Sequence, residues 1–271
     1  MPYGVACCGV VPVRREPSDS SEMVTQLLLG ETVEIQESRG VWHRIKADLD
    51  GYTGWASSNQ IMGLSRQDHS DWKQHPDRLR SPYRSILARS KGKQGEFLQV
   101  PPGACLPVRG NQVDWFEREY EFLYTPRPLK REKLLDTAKG FLGVPYLWGG
   151  RTDTGLDCSG FIQTVHLLHG IPLDRDSPDQ YRSGNSVGEE LADARIGDLL
   201  YFRYPDRPVS HIGFYLGEGL LLHASGQVKI NQIDPALESS SVHPFNEPLS
   251  RGLVGIIRIS ASEESVDSVS P

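Results

Sequence analysis

The chain has 271 residues, of which 38% are hydrophobic and 24% charged, and a formal net charge of −6. That length carries two or three compact units, with enough core to stand without disulfide or metal staples. The negative balance argues against a general nucleic-acid binder, since neutralising phosphates takes a concentrated basic surface, and no apolar run approaches the roughly 20 residues of a membrane span.

The start, Met1-Pro2-Tyr3-Gly4-Val5-Ala6-Cys7-Cys8, lacks the charged flank and long apolar core of a signal peptide. If Met1 is the native start, the expected compartment is the cytoplasm. The cysteines (Cys7, Cys8, Cys105 and Cys158) are too few for a disulfide framework in a chain this long. Cys7 and Cys8 are adjacent, a poor geometry for zinc, and neither CxxC nor HExxH spacing occurs. Neither a metal nor another cofactor is expected, and the thiols read as reduced.

Over residues 10–63 short apolar runs alternate with turn signals such as Leu29-Gly30-Glu31 and Asp50-Gly51, and Val33 and Ile35 alternate with polar neighbours. Closely spaced short strands of this kind predict a small β-barrel. Val13-Arg14-Arg15-Glu16-Pro17, Val41-Trp42-His43-Arg44-Ile45 and Gly51-Tyr52-Thr53-Gly54-Trp55 resemble a bacterial SH3 domain, placed at residues 1–64. Residues 65–128 carry strand-like runs at 83–87, 97–100 and 116–124, so a second divergent SH3-like barrel and an extended linker both stay open. The basic residues of this stretch, among them Arg78, Arg80, Arg84, Arg89, Lys91 and Lys93, read as a solvated face.

From residue 129 helical periodicity begins: Leu134, Leu135, Ala138, Phe141 and Leu142 share a face, with Gly143 and Pro145 as the stop. A second helix is predicted from Cys158 to Gly170, followed by strands near 198–202, 211–216, 220–224 and 253–259. Helices followed by antiparallel strands make an α+β unit over residues 129–260. The Ser- and Glu-rich tail, 261–271, is expected to be disordered.

The sharpest chemical feature is Asp157-Cys158-Ser159-Gly160, which follows a glycine-rich turn and opens a helix. A thiol there meets the positive end of the helix dipole and unpaired N–H groups, which favour the thiolate and can cradle an oxyanion. Considered alone, a cysteine in an apolar helix is more often simply buried. Its company shifts the balance, because a cysteine nucleophile needs an imidazole, and the imidazole an orienting partner. His211 opens one predicted strand and His223 ends the next, with Gly217-Glu218-Gly219 between them. The other histidines (His43, His69, His75, His166, His169 and His243) lack that context and read as surface or core residues.

The segments Leu142-Gly143-Val144-Pro145-Tyr146-Leu147-Trp148-Gly149-Gly150, Gly155-Leu156-Asp157-Cys158-Ser159-Gly160-Phe161, Arg195-Ile196-Gly197-Asp198-Leu199, His211-Ile212-Gly213-Phe214-Tyr215 and Leu222-His223-Ala224-Ser225 resemble the NlpC/P60 catalytic domain. The resemblance implies a papain-like α+β fold preceded by one or two SH3-like barrels. It implies Cys158 as nucleophile, His211 as general base, His223 as the orienting third member and Tyr146 beside the oxyanion. With Pro172-Leu173-Asp174-Arg175-Asp176-Ser177, it points to γ-D-glutamyl-L-diamino acid endopeptidases of the dipeptidyl-peptidase VI type. Such enzymes cut the γ-D-glutamyl–meso-diaminopimelate bond of small peptidoglycan peptides (L-Ala-γ-D-Glu-Dap) with a free L-Ala amine, a specificity suited to muropeptide recycling. The resemblance further implies Asp176 as partner of that ammonium and Ser177, Asp157 and Ser159 as groups lining the site. It adds Trp148 as an apolar wall, and Tyr52 and Glu22 from the first barrel. The competing readings are an amidase or acyltransferase on another substrate, a wall-binding protein with an inactive catalytic domain, and a secreted hydrolase of intact peptidoglycan.

Overall fold

The computed structural model describes residues 1–89, 97–116, 118–204, 208–237 and 241–259; the tail at 261–271 and the basic residues Lys91 and Lys93 lie outside the described residues. The chain divides into one unit formed by Met1–Asp176 with His223–Lys229, and a second formed by Ser177–Leu222 with the chain from Ile230 onward.

In the first unit the alternating runs become strands β1 (Tyr3–Ala6), β2 (Val10–Arg14), β3 (Met23–Leu28), β4 (Thr32–Arg39), β5 (Trp42–Ala47), β6 (Thr53–Ser57) and β7 (Ile61–Leu64). They form one seven-stranded sheet in the order β3-β2-β6-β5-β4-β1-β7. Val11, Val13, Leu27, Val33, Ile45 and Ile61 point inward and share a core, while Arg44 and Lys46 between them on β5 stay exposed. That is the period-2 pattern of a half-buried strand.

The described residues within 65–128, for which a barrel and a linker are both open from the sequence, form a helix and a sheet. Helix α1 (Arg66–Gln74) begins at a capping box in which Ser65 and Asp68 satisfy each other's backbone N–H groups. Strands β8 (Arg78–Arg80), β9 (Ser85–Arg89), β10 (Phe97–Val100), β11 (Cys105–Arg109), β12 (Gln112–Trp115) and β13 (Arg118–Glu121) follow. Their order is β10-β9-β13-β12-β11-β8. The core of this sheet is continuous with the first: Val5, Leu29 and Leu64 join Leu87, Val100, Leu106, Val113 and Phe122. Gly30 makes the close approach possible. It sits at φ +82°, and a Cβ there would fall 1.8 Å from the Cys105 carbonyl oxygen.

Helix α2 (Leu134–Lys139) stops three residues earlier than the periodicity predicts. Strand-like pairing captures the chain instead: the Gly143 N–H donates to the Val228 carbonyl at 2.9 Å, and the Val228 N–H returns to Val144 at 2.8 Å. Phe141 still reaches the core, but Leu142 is left 47% exposed. After the short hairpin β14 (Arg151–Thr152) and β15 (Gly155–Leu156) comes α3 (Cys158–Leu168), buried along its whole length.

The second unit contains α4 (Ser177–Ser183), β16 (Ser186–Gly188), β17 (Leu199–Arg203), β18 (Val209–Gly217), β19 (Leu220–Ser225), β20 (Gln227–Gln232), α5 (Glu247–Gly252) and β21 (Leu253–Ile257). Its sheet runs β16-β21-β17-β18-β19-β20. Residues His223–Lys229, the end of β19 and the start of β20, belong to the first unit. Leu200, Phe202, Tyr215, Leu221, Ile233, Leu249 and Ile256 form the core of the second.

Candidate active site

The helix that Cys158 opens is started by its own sequence. Asp157 is the N-cap of α3, in extended backbone, and one carboxylate oxygen accepts the Gly160 N–H at 2.6 Å. The other accepts the Gly149 N–H at 2.8 Å, which ties the glycine-rich turn to the helix mouth. Gly149 is required there, because at φ +76° a Cβ would sit 2.5 Å from the Met23 carbonyl oxygen. Arg175, 1% exposed, grips both Asp157 oxygens at 3.0 and 2.5 Å. It also donates to the Ser159 hydroxyl at 3.0 Å and to Thr25 at 2.8 Å. Sequence reasoning placed Asp157 and Ser159 among the substrate-lining groups. In the fold they are buried members of this network, their oxygens turned to backbone N–H groups and a guanidinium. Arg175 has no role in the sequence reading, where its signal is a cation next to Asp176.

Cys158 opens the helix and is 7% exposed. Burial pushes its thiol up to about 12, and the adjacent Asp157 carboxylate adds to the rise. The backbone N–H groups of Ser159 and Cys158 and the Arg175 guanidinium act in the opposite direction without overcoming it. The helix start thus pulls against burial here. Desolvation of the charged form outweighs the dipole. A cysteine in such a place needs a base to take its proton.

Tyr146 is fixed in place at its backbone. It bridges Leu156, two residues ahead of the nucleophile, and its N–H donates to the Gly226 carbonyl at 2.9 Å. His223 lies fully buried on β19. Both belong to the first unit with Cys158. His211 lies on β18 in the second unit, 6% exposed, its ring 6.1 Å from that of Phe202. Ser177, buried, is the first residue of α4 in that same unit.

Four further residues predicted to line the site meet partners within the first unit. The Tyr52 hydroxyl donates to an Asp176 carboxylate oxygen at 3.1 Å. Burial, and next the Asp176 charge, push the Tyr52 phenol well above its ordinary value, so it stays a donor. Asp176 is 44% exposed on its side chain, with its second oxygen 4.0 Å from Arg175. The Trp148 indole N–H donates to Glu22 at 2.7 Å, and Glu22 also pairs with Arg15 at 2.8 Å. Trp148 is 60% exposed, so it is not a core residue. A Tyr–carboxylate pair, half-open to solvent, is suited to receiving a cation. Among the described residues no group of three or more His, Cys, Asp or Glu is placed to hold a metal ion.

The NlpC/P60 family matches residues 143–244, and the bacterial dipeptidyl-peptidase SH3 domain matches 13–61. A γ-D-glutamyl-L-lysine dipeptidyl-peptidase of Bacillus subtilis is 31% identical over 223 residues, which cover 74% of this chain and 71% of the relative. Its namesake in Bacillus cereus is 28% identical over 244 residues, covering 80% of this chain and 72% of that one. The fold is also that of a crystallised NlpC/P60 family protein from Bacillus cereus, with a TM-score of 0.78 at 21% identity over 94% of this chain and 99% of that one. On the family match and the 31% identity to a Bacillus subtilis relative spanned over 71% of its length, the chain belongs to the NlpC/P60 family and is a cysteine peptidase.

Proposed function

We propose that this peptidase hydrolyses the γ-D-glutamyl–diamino acid bond of peptidoglycan stem peptides whose L-Ala carries a free amino group. The observation that carries the reading is the Tyr52–Asp176 pair, a fixed and partly exposed carboxylate in the unit that holds Cys158. An α-ammonium entering a closed site loses water and needs such a partner. The names of the Bacillus relatives, which specify a γ-D-glutamyl-L-lysine bond, support the bond class. The third residue is meso-diaminopimelate, as the sequence suggests, or L-lysine, as in those names. An L-Ala amine is free only after the stem has left the glycan, so this specificity selects detached peptides and suits muropeptide recycling.

In the proposed mechanism Cys158 Sγ attacks the γ-glutamyl carbonyl carbon as its proton passes to His211, which His223 orients. The helix N–H at Cys158 and the Tyr146 hydroxyl donate to the tetrahedral oxyanion. His211 then protonates the departing amine, and water hydrolyses the thioester, releasing L-Ala-D-Glu and restoring the thiol. Loss of one oxyanion donor lowers kcat by about 10²–10³ in such sites. Tyr146→Phe is accordingly expected to lower kcat by about that factor with KM little changed; a kcat within twofold of wild type removes Tyr146 from this role.

The specificity is tested with L-Ala-γ-D-Glu-meso-Dap, L-Ala-γ-D-Glu-L-Lys and the N-acetylated form of each. A hydrogen bond to a charged group contributes about 1.5–3 kcal/mol, so acetylation should lower kcat/KM by roughly ten- to a hundredfold. Equal cleavage of free and acetylated peptides sinks the free-amine specificity. Cleavage of none of the four sinks the substrate class.

A further inference from the structure

Gln163 is a fully buried polar residue in the middle of the nucleophile helix, and the mechanism above makes no use of it. Its amide nitrogen donates twice, to a carboxylate oxygen of Asp50 at 2.9 Å and to the Leu173 carbonyl at 3.0 Å. Two acceptors facing one end of the amide fix its orientation, since only the NH₂ can satisfy both. Among the described residues the buried carbonyl end has no hydrogen-bond partner. An unpaired buried carbonyl is destabilising, and an apolar side chain of the same length would avoid that penalty. The NH₂ contacts are therefore what the position is built around.

Those contacts lead to the two segments that meet at the proposed amine site. The other oxygen of Asp50 accepts the Tyr52 N–H at 3.1 Å. The Tyr52 hydroxyl reaches Asp176, and Asp176 lies shortly after Leu173 in the chain. The hydrogen bonds close a ring: Gln163 holds the Asp50 turn, the turn presents Tyr52, Tyr52 holds Asp176, and the chain returns through Leu173 to Gln163. The same rigid helix carries Cys158 at its mouth, a rise of about 7.5 Å away along the axis.

We propose that Gln163 is a positioning residue for substrate specificity, anchoring both halves of the Tyr52–Asp176 amine site to the helix that bears the nucleophile. The helix then acts as a ruler: the distance from the ammonium of the first residue to the carbonyl of the second is set by one buried element. The inference rests on the free-amine reading above. A loop-borne carboxylate by itself would wander; tied to α3, it meets the ammonium of a dipeptidyl unit of one length.

The test uses the full chain and the variants Gln163→Met, which keeps length and packing, and Asp50→Ala, which breaks the same ring from a half-buried turn if the core variant fails to fold. For each, kcat and KM are measured on L-Ala-γ-D-Glu-diamino acid peptide and its N-acetylated form, and the rate of Cys158 alkylation by iodoacetamide is followed as a check on the nucleophile. Loss of the two hydrogen bonds is expected to lower the free-to-acetylated ratio of kcat/KM about tenfold, chiefly through KM for the free peptide, with wild-type alkylation. A ratio that stays at the wild-type value in either folded variant overturns the inference while the free-amine reading stands. A fall in kcat alike for both peptides, with slowed alkylation, overturns it as well, since that is damage to the helix mouth. A wild-type enzyme indifferent to acetylation removes the reading and the inference together.

Discussion

Replacing Cys158 with alanine is expected to give a folded protein that cleaves no peptide. The side chain removed is small and buried, and the Asp157 cap, the Arg175 clamp and the rest of α3 do not depend on it. Deleting one buried heavy atom costs about 1 kcal/mol, so the melting temperature should stay within about 4 °C of wild type. Turnover should fall by on the order of 10⁴-fold or more, as when a nucleophile that acts as a unit with its base is lost. Product chromatography beside a thermal melt reads both quantities. Measurable turnover in a folded Cys158→Ala protein ends the covalent mechanism.

The largest expected effect on stability is at Glu31, far from the nucleophile in sequence. Its carboxylate is 3% exposed and accepts from Arg151 at 3.0 and 3.2 Å, Arg80 at 3.3 Å and the Leu28 N–H at 3.0 Å. Arg151 is itself 2% exposed and follows the glycine-rich turn. Its carbonyl accepts the Thr164 hydroxyl of α3 at 3.1 Å. Glu31 thus joins the first barrel, the middle sheet and the nucleophile turn through one charge. Glu31→Ala leaves the Arg151 charge buried against the Gln26 carbonyl where a carboxylate stood. Breaking a buried pair from one side costs about 3–5 kcal/mol, a fall in melting temperature on the order of 10 °C. A fall below 2 °C would show that the barrel and the turn hold together without this charge.

The same site sets an acid limit. Burial pushes the Glu31 carboxyl up, but the Arg151 and Arg80 guanidiniums and the Leu28 N–H outweigh it and hold it below its ordinary 4.5. A depressed folded value means the stabilisation is present above the unfolded value and lost as pH falls through the folded one. The gap in melting temperature between wild type and Glu31→Ala should therefore narrow as pH drops from 7 through 4.5 and below. A gap that is constant with pH would show that the carboxylate's charge is not what stabilises.

Features that depend on neighbours along the chain were legible in the residues. The Asp157 cap and the start of α3 sit where the motif predicts, as do the strands carrying His211 and His223. A cap, a turn and a period of two are set by contacts within a few residues. The missed start of α1 was legible in the same way, since Ser65 and Asp68 spell a capping box. The end of α2 was not, because it is decided by pairing with Val228.

The sequence by itself determined the family and the local machinery that starts the helix at Cys158, because these lie in short contiguous motifs. Only the tertiary structure decided what surrounds them. It turned Asp157 and Ser159 inward onto Arg175, raised the Cys158 thiol by burying it, and joined Tyr52 to Asp176 across 124 positions of chain. Desolvation and long-range hydrogen bonds depend on which distant segments exclude water from a group, and no local pattern of residues encodes that.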